Sequence, residues 1–251
     1  MDPYKTRSLA QHSTVIALLL VSWWLASRFS GGLLPGPLES LEWMASREPP
    51  GRIIWNVAIT VKNSVAGFTL AFTAAVATLL FSRVNLYTRL LVETFNVYVQ
   101  SISALVWILV FLVIFGFKSP LPPILVTAGV SYPILLSSLL EGMETVDSKI
   151  VELSRLLGAT RLQLFRHIYL PASIPFAVAG SRAALGAALR ISVVAEAFGS
   201  AGGIGYMLNY YFETYNYAGM MGWALLLVVL MVALDRAILA PVESRSKRWL
   251  P

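Results

Sequence analysis

Three charged residues, Arg182, Arg190 and Glu196, stand inside a stretch from Pro171 to Phe198 that is otherwise apolar. A charge at the bilayer centre costs at least about 2.5 kcal/mol unless it is paired or hydrated, so such residues face protein or water. Arg182 and Arg190 are eight residues apart, a little over two helical turns, which puts them on roughly one face, and Glu196 follows six residues later. Together they are candidates for lining a polar pathway. The forked donors of Arg190 match a carboxylate, a sulfonate or a nitrate, a preference that Glu196 would offset. Arg182, near one end of the stretch, also has a simpler role open to it, snorkelling to an interface.

Chemistry of other kinds lacks its partners. With no cysteine in the chain there is no disulfide framework, thiolate nucleophile or cysteine-ligated metal. His12 and His167 are far apart and have no third ligand at a recognisable spacing, so no metal site is expected. Ser173 and Ser181 have no His and Asp to activate them, and Glu141, Glu144 and Asp147 read as a solvated loop. No phosphate-cradling GxxxxGK[ST] segment occurs. Gly202, Gly203 and Gly205 read as a Gly-rich turn or as a flexible re-entry of the chain near an outer mouth. The chain is expected to be no enzyme and to bind no cofactor.

The elements that would hold these charges follow from composition. Apolar residues make up 57% of the 251 positions and charged residues 13%, with a mean hydropathy of +0.71. Soluble domains carry about 25% charged residues, so much of this surface faces lipid. Charge gaps predict an all-α polytopic membrane protein with about six spans near 10–29, 62–82, 95–117, 120–140, 172–198 and 216–239, forming one domain over 1–251. A cleaved signal peptide is the competing reading of the first apolar segment, and the succession of later spans argues against it. Pro122, Pro123 and Pro133 fall in the fourth span, where packed neighbours tolerate a kink.

Lys and Arg counts set the orientation. With the N-terminus inside, twelve of the 19 basic residues, among them Arg83, Arg89, Lys149, Arg155, Arg161, Arg166, Arg245, Lys247 and Arg248, fall in cytoplasmic segments. Five, Arg28, Arg47, Arg52, Lys62 and Lys118, fall outside, and two lie within the fifth span. Both termini are therefore expected in the cytoplasm, and the net charge of +6 calls for no nucleic acid. The outer segment LESLEWMA is either a short amphipathic helix on the membrane surface or a solvated linker. The aromatic run from Tyr206 to Gly219 is either an interfacial anchor or a docking surface.

The longest cytoplasmic connection, 141–171, carries helix signals and a break. Asp147 can cap a first short helix with Ile150, Val151, Leu153, Leu156 and Leu157 on its apolar side, and Gly158 suits the left-handed position that ends it. Thr160 and Gln163 have the spacing of a capping box for a second short helix, with Pro171 and Pro175 marking the start of the fifth span. A plain connector needs none of this, whereas a loop that docks into another protein needs such a rigid knob.

The segment VELSRLLGATRLQLFRHIYLP resembles the cytoplasmic motif of ATP-binding-cassette importer permeases: Glu, two small residues, three of any kind, Gly, nine of any kind, then Ile, one of any kind, Leu and Pro. Glu152, Gly158, Ile168, Leu170 and Pro171 match at that spacing; Leu153 and Ser154 stand where two small residues are usual, and Ala159 follows the Gly. SRAALGAALRISVVAEAFGSAGGIGYML is similar to the fifth span and following loop of the nitrate, sulfonate, taurine and bicarbonate permeases, a pattern shared with permeases for vitamin precursors, through Arg182, Gly186, Glu196, Gly203, Gly205 and Tyr206. The third span departs, since VQSISALVW lacks the prolines usual there.

The resemblance implies the type I importer permease fold and a homodimer in the cytoplasmic (inner) membrane. It also implies cytoplasmic ATPase partners that carry the ATP, an extracytoplasmic solute-binding protein, and a coupling loop formed by Glu152, Leu153, Ser154, Gly158, Ala159, Ile168, Leu170 and Pro171. At a recurrent family position, Glu196 paired with an Arg would be a structural or gating element. The alternative of another class is a stand-alone carrier or channel whose loop is only a connector.

Overall fold

The computed structural model describes residues 3–31 and 33–236, with side chains other than those of 3–13, Ile16 and Arg161. His12, the 237–239 end of the expected sixth span, and Arg245, Lys247 and Arg248 lie outside what is described. The described regular structure is helical: α1 Pro3–Phe29, α2 Pro37–Arg47, α3 Pro50–Ser82, α4 Leu86–Ser101, α5 Ala104–Phe115, α6 Leu121–Glu144, α7 Ser148–Leu156, α8 Arg161–Leu164, α9 Leu170–Gly199, α10 Ile204–Glu213 and α11 Tyr217–Leu234.

Among the described residues α3, α6, α11 and the continuous helical run Leu162–Gly199 are each long and apolar enough to cross a bilayer. In α1 the apolar part is the shorter Ala17–Phe29. The core is the packing of α3, α6 and α9, where Ala71, Ala75, Leu79, Leu135, Leu136, Leu139 and Ala184 are buried together. Lipid offers no hydrophobic drive between helices, so close approach rests on small residues. Gly180 shows this, because a Cβ there would come within 2.5 Å of the Ser138 side chain.

Four expectations are corrected. The third span is no single helix over 95–117: α4 and α5 meet at a break of two residues with an angle of 86° between them, although no proline is present. The second span begins earlier than position 62, at Pro50, because Pro is well suited to a first helical turn and the apolar periodicity carries through Arg52 and Lys62. The second short helix of the loop does not end before Pro171. After α8 the chain makes a π-helical turn, Phe165–Tyr169, and runs straight into α9, with the Leu170 N–H reaching the Phe165 carbonyl. Pro171 sits in the first turn of α9, where its missing N–H costs little because the widened turn has already displaced the ladder. Finally, Pro122 and Pro123 lie at the start of α6 and only Pro133 is internal.

The LESLEWMA segment does form a helix, α2, but it packs on protein: Ser40 is buried and the backbone of α2 approaches Gly222 of α11.

Candidate functional site: capped loop, membrane charges and Gly-rich turn

The loop is built by its caps. Asp147 accepts a hydrogen bond from the Lys149 N–H (2.9 Å) and starts α7. At the other end Gly158 takes φ +82°, its N–H bonds the Arg155 carbonyl and the next N–H, of Ala159, reaches the Ser154 carbonyl, both at 3.0 Å. That paired arrangement satisfies the last carbonyls of the helix, and only glycine adopts the conformation without strain. Thr160 and Gln163 form the reciprocal box, the Thr160 N–H donating to the Gln163 side chain (2.8 Å) and the Gln163 N–H to the Thr160 hydroxyl (3.3 Å).

Between these caps Val151 is buried against the membrane domain, whereas Leu153, Leu156, Leu157 and Leu162 are 59%, 85%, 80% and 73% exposed. Glu152 is exposed and Ser154 half-buried, its hydroxyl bonded to the Ile150 carbonyl (2.7 Å). Ile168 is half-buried, and Leu170 and Pro171 are exposed at the base. The result is a rigid knob with its leucines outward.

A residue that sequence reasoning passed over holds the knob to its base. Arg83, at the end of α3, donates from Nε to the Met143 sulfur (3.0 Å), and its guanidinium lies 5.1 Å over the Tyr169 ring. Burial pulls the guanidinium down from its ordinary value, against the opposing influence of Tyr169. Arg83, Met143, Val151, Glu152, Arg155 and Tyr169 line one cleft of about 300 Å³ between loop and membrane domain. Only the lone basic residue between two apolar runs hinted at it.

The three membrane charges do not act as one stripe. Arg182 and Arg190 both line a cavity of about 680 Å³ between α9 and α11, with Gly186, Met231, Asp235 and Arg236. Arg182 bonds Asp235 (Nη2 to Oδ1 3.0 Å, to Oδ2 3.2 Å), joining the two helices where snorkelling alone had been the simpler alternative. Arg190 is exposed and donates Nε to the Gly186 carbonyl (3.1 Å); no carboxylate pairs with it among the described residues.

Glu196 is fully buried on another side, against α3 and α10. It accepts from the Thr60 hydroxyl (2.7 Å), the Asn63 amide (2.9 Å), the Ser192 hydroxyl (3.3 Å) and the Gly205 N–H (3.2 Å). No arginine pairs with it among the described residues. Asn56 and Thr60 complete the join by accepting from the N–H groups of Gly203 and Ile204, both at 2.8 Å.

The Gly-rich segment is therefore a clamped turn and not a loose one. Gly203 has φ +109°, and a Cβ there would strike the Glu196 carboxylate; one on Gly205 would strike the Val193 carbonyl. The turn places the start of α10 on that carboxylate, where the helix dipole favours negative charge. The signal for α3's part was present in the sequence as polar Asn56, Thr60, Asn63 and Ser64 at helical spacing in an apolar run.

The aromatic run from Tyr206 to Gly219 divides. Tyr211 is buried, stacks edge-on with Trp43 (4.9 Å between centroids) and donates its hydroxyl to Glu48 (2.6 Å), which Arg52 approaches at 3.5 Å. Burial first, then Glu48, pushes the Tyr211 hydroxyl up to about 12. Tyr206, Tyr210, Phe212 and Tyr215 remain exposed.

A helical membrane domain with a doubly capped knob and charged side chains on a cavity is an arrangement suited to a transport subunit. Residues 67–239 match the family described as the binding-protein-dependent transport system inner membrane component, and the chain belongs to that family. It is an ABC importer permease and an inner membrane component.

A probable ABC transporter permease protein of Brucella melitensis is 25% identical over 90% of this chain and 92% of its own length. The putative aliphatic sulfonates transport permease protein SsuC of Bacillus subtilis is 26% identical over 71% of this chain and 64% of its own. The nitrate import permease protein NrtB of Leptolyngbya laminosa is 21% identical over 65% and 57%. Among solved structures, an inward-facing MetNI methionine ABC transporter has a chain that superimposes with a TM-score of 0.69 at 20% identity, covering 82% of this chain and all of that one. The fold is that of ABC importer permeases.

Proposed function

We propose that two copies of this chain enclose a solute pathway across the inner membrane. An extracytoplasmic solute-binding protein delivers the solute, and cytoplasmic ABC ATPase subunits, which alone bind ATP, drive the cycle. Residues 1–251 act as one transmembrane domain with both termini in the cytoplasm, and the chain carries neither a catalytic site nor a cofactor.

Loop 141–171 is the coupling element: Glu152, Leu153, Ser154, Gly158, Ala159, Ile168, Leu170 and Pro171 form the knob and base that seat in the ATPase. The observation that carries this reading is the set of outward leucines on a doubly capped loop. A rigid lever between two bistable assemblies transmits closure without absorbing it.

The solute is a small anion of the nitrate, sulfonate, taurine or bicarbonate kind, ahead of the heteroaromatic vitamin precursors whose permeases share the same fifth-span pattern. The names of relatives support this, including a bicarbonate transport system permease protein of Synechococcus elongatus, as does Arg190, whose guanidinium lines the cavity without a carboxylate partner among the described residues. Arg182 stands on the same route as a paired charge, and Glu196 acts on it indirectly, as the bolt that holds the outer turn.

The test is purification from mild detergent without crosslinking, with mass spectrometry of what co-purifies. An ATPase at equal stoichiometry is the expected result; recovery of this chain alone across several detergents would return the loop to a connector and the chain to a stand-alone carrier or channel.

A further inference from the structure

The break between α4 and α5 lies at membrane depth. The Lys118 N–H bonds the Gly199 carbonyl (2.6 Å), tying the outer end of α5 to the outer end of α9. Ile108 packs with Val126 and Ala195, and Trp107 joins that cluster beside Ile191. The 12 residues of α5 span about 18 Å, so its first residue lies well inside a hydrocarbon core about 30 Å thick. On α9 the residue at comparable depth is Arg190, nine residues from Gly199, or about 14 Å.

Gln100, Ser101, Ile102 and Ser103 are all exposed at this break. The Ser101 hydroxyl is occupied by the Val97 carbonyl (2.8 Å), and Ser103, at the cap position of α5, makes no side-chain capping bond. The Ile102 N–H reaches the Val99 carbonyl (3.3 Å) and the Ser103 carbonyl accepts from the Trp107 N–H (3.2 Å), while no side-chain cap from Ser103 covers the first N–H groups of α5. Irregular backbone persists at membrane depth only where protein buries it or where it borders a water-filled space, and the described part of this chain does not bury it. The contrast with α5 is sharp, because its exposed residues Val106, Leu109, Val110, Val113 and Ile114 are all apolar and suit lipid.

We propose that the α4–α5 break borders the aqueous solute route, and that Gln100, Ser101 and Ser103 offer the passing solute neutral hydrogen bonds at mid-membrane. This deepens the permease reading and rests on it. An amide and two hydroxyls select by hydrogen-bonding pattern while Arg190 selects by charge, so the break is a specificity-determining element for an oxyanion or sulfonate.

The chain lacks cysteine, so a single introduced thiol is its only one. Gln100→Cys, Ser101→Cys and Ser103→Cys, with Leu109→Cys and Val113→Cys as lipid-facing references, are expressed with the full complex in membranes and treated with a charged, membrane-impermeant maleimide. Thiols bordering water ionise and those in lipid hardly do, so the break positions should label at least about tenfold faster than the references. Rates equal to those of Leu109→Cys and Val113→Cys would overturn the proposal. So would oxidative crosslinking of the break cysteines between two copies without any labelling by the maleimide, which would show that protein and not water covers the break. The three adjacent positions give independent readings if one variant fails to insert. Scoring ATPase co-purification on the same membranes separates the two readings. Labelling without an ATPase removes the importer partner and leaves the wet break, while an ATPase without labelling removes the break alone.

Discussion

Replacing Glu196 should loosen the join among α3, α9 and α10, and the size of the effect can be worked from its partners. Glu196→Ala removes the acceptor of the Thr60 and Ser192 hydroxyls, the Asn63 amide and the Gly205 N–H. The two hydroxyls can rotate to other acceptors, but the Asn63 amide and the Gly205 N–H are held by packing. A buried donor left without an acceptor costs about 1–3 kcal/mol, so the two together amount to roughly 2–6 kcal/mol. Glu196→Gln keeps one carbonyl oxygen for Asn63 and strands chiefly the Gly205 N–H, which is about 1–3 kcal/mol. The thermal unfolding midpoint of the detergent-purified complex should therefore fall in the order wild type, Gln variant, Ala variant. An Ala variant as stable as wild type, with altered solute selectivity instead, would show that Glu196 touches solute and does not bolt the turn.

Gly158→Val should uncouple ATP hydrolysis from uptake with membrane insertion intact, because the left-handed conformation costs a side-chain-bearing residue about 1–2 kcal/mol and frays the end of α7; tight coupling in reconstituted vesicles would count against the lever. Arg190→Ala should change the rate or anion selectivity of uptake by removing a cation of the α9–α11 cavity that no carboxylate pairs with among the described residues, and unchanged transport kinetics would make that residue structural. Tyr211→Phe should alter the alkaline stability profile. The folded-state hydroxyl is raised from 10.0 to about 12, so its contribution is complete below 10 and is lost as pH rises from 10 through 12. Over that window the wild-type midpoint should fall more steeply than that of the variant, and parallel curves would refute the assignment.

The knob and the bolt divide the labour of such a permease. The knob is held by local bonds within 147–163 and keeps its apolar side outward, which suits a surface that meets a partner. Glu196 is held by bonds to residues 133 and 136 positions away, which suits a joint that keeps α3, α9 and the Gly-rich turn in register.

What was legible in the sequence was local. Gaps between charges located the apolar segments, and the spacings Asp147 to Gly158 and Thr160 to Gln163 foretold both caps of the loop, because capping is decided within a few residues of the backbone groups it satisfies. The spacing of Glu152, Gly158, Ile168, Leu170 and Pro171 pointed to the family before any fold was seen. Tertiary structure alone decided the rest. The helical period allowed Arg182, Arg190 and Glu196 some shared face, but which neighbours Arg182 and Glu196 would meet depended on Asp235, 53 residues after Arg182 at the end of α11, and on Thr60 of α3, 136 residues before Glu196. The break at Ser101–Ser103 had no proline to announce it; α4 packs on α3 and α6, whereas α5 packs on α6 and α9. The Gly-rich turn was rigid and not loose because Glu196, Asn56 and Thr60 converge on it. Local backbone chemistry is written in adjacent residues, whereas the partners of a buried charge are chosen by the way distant helices pack.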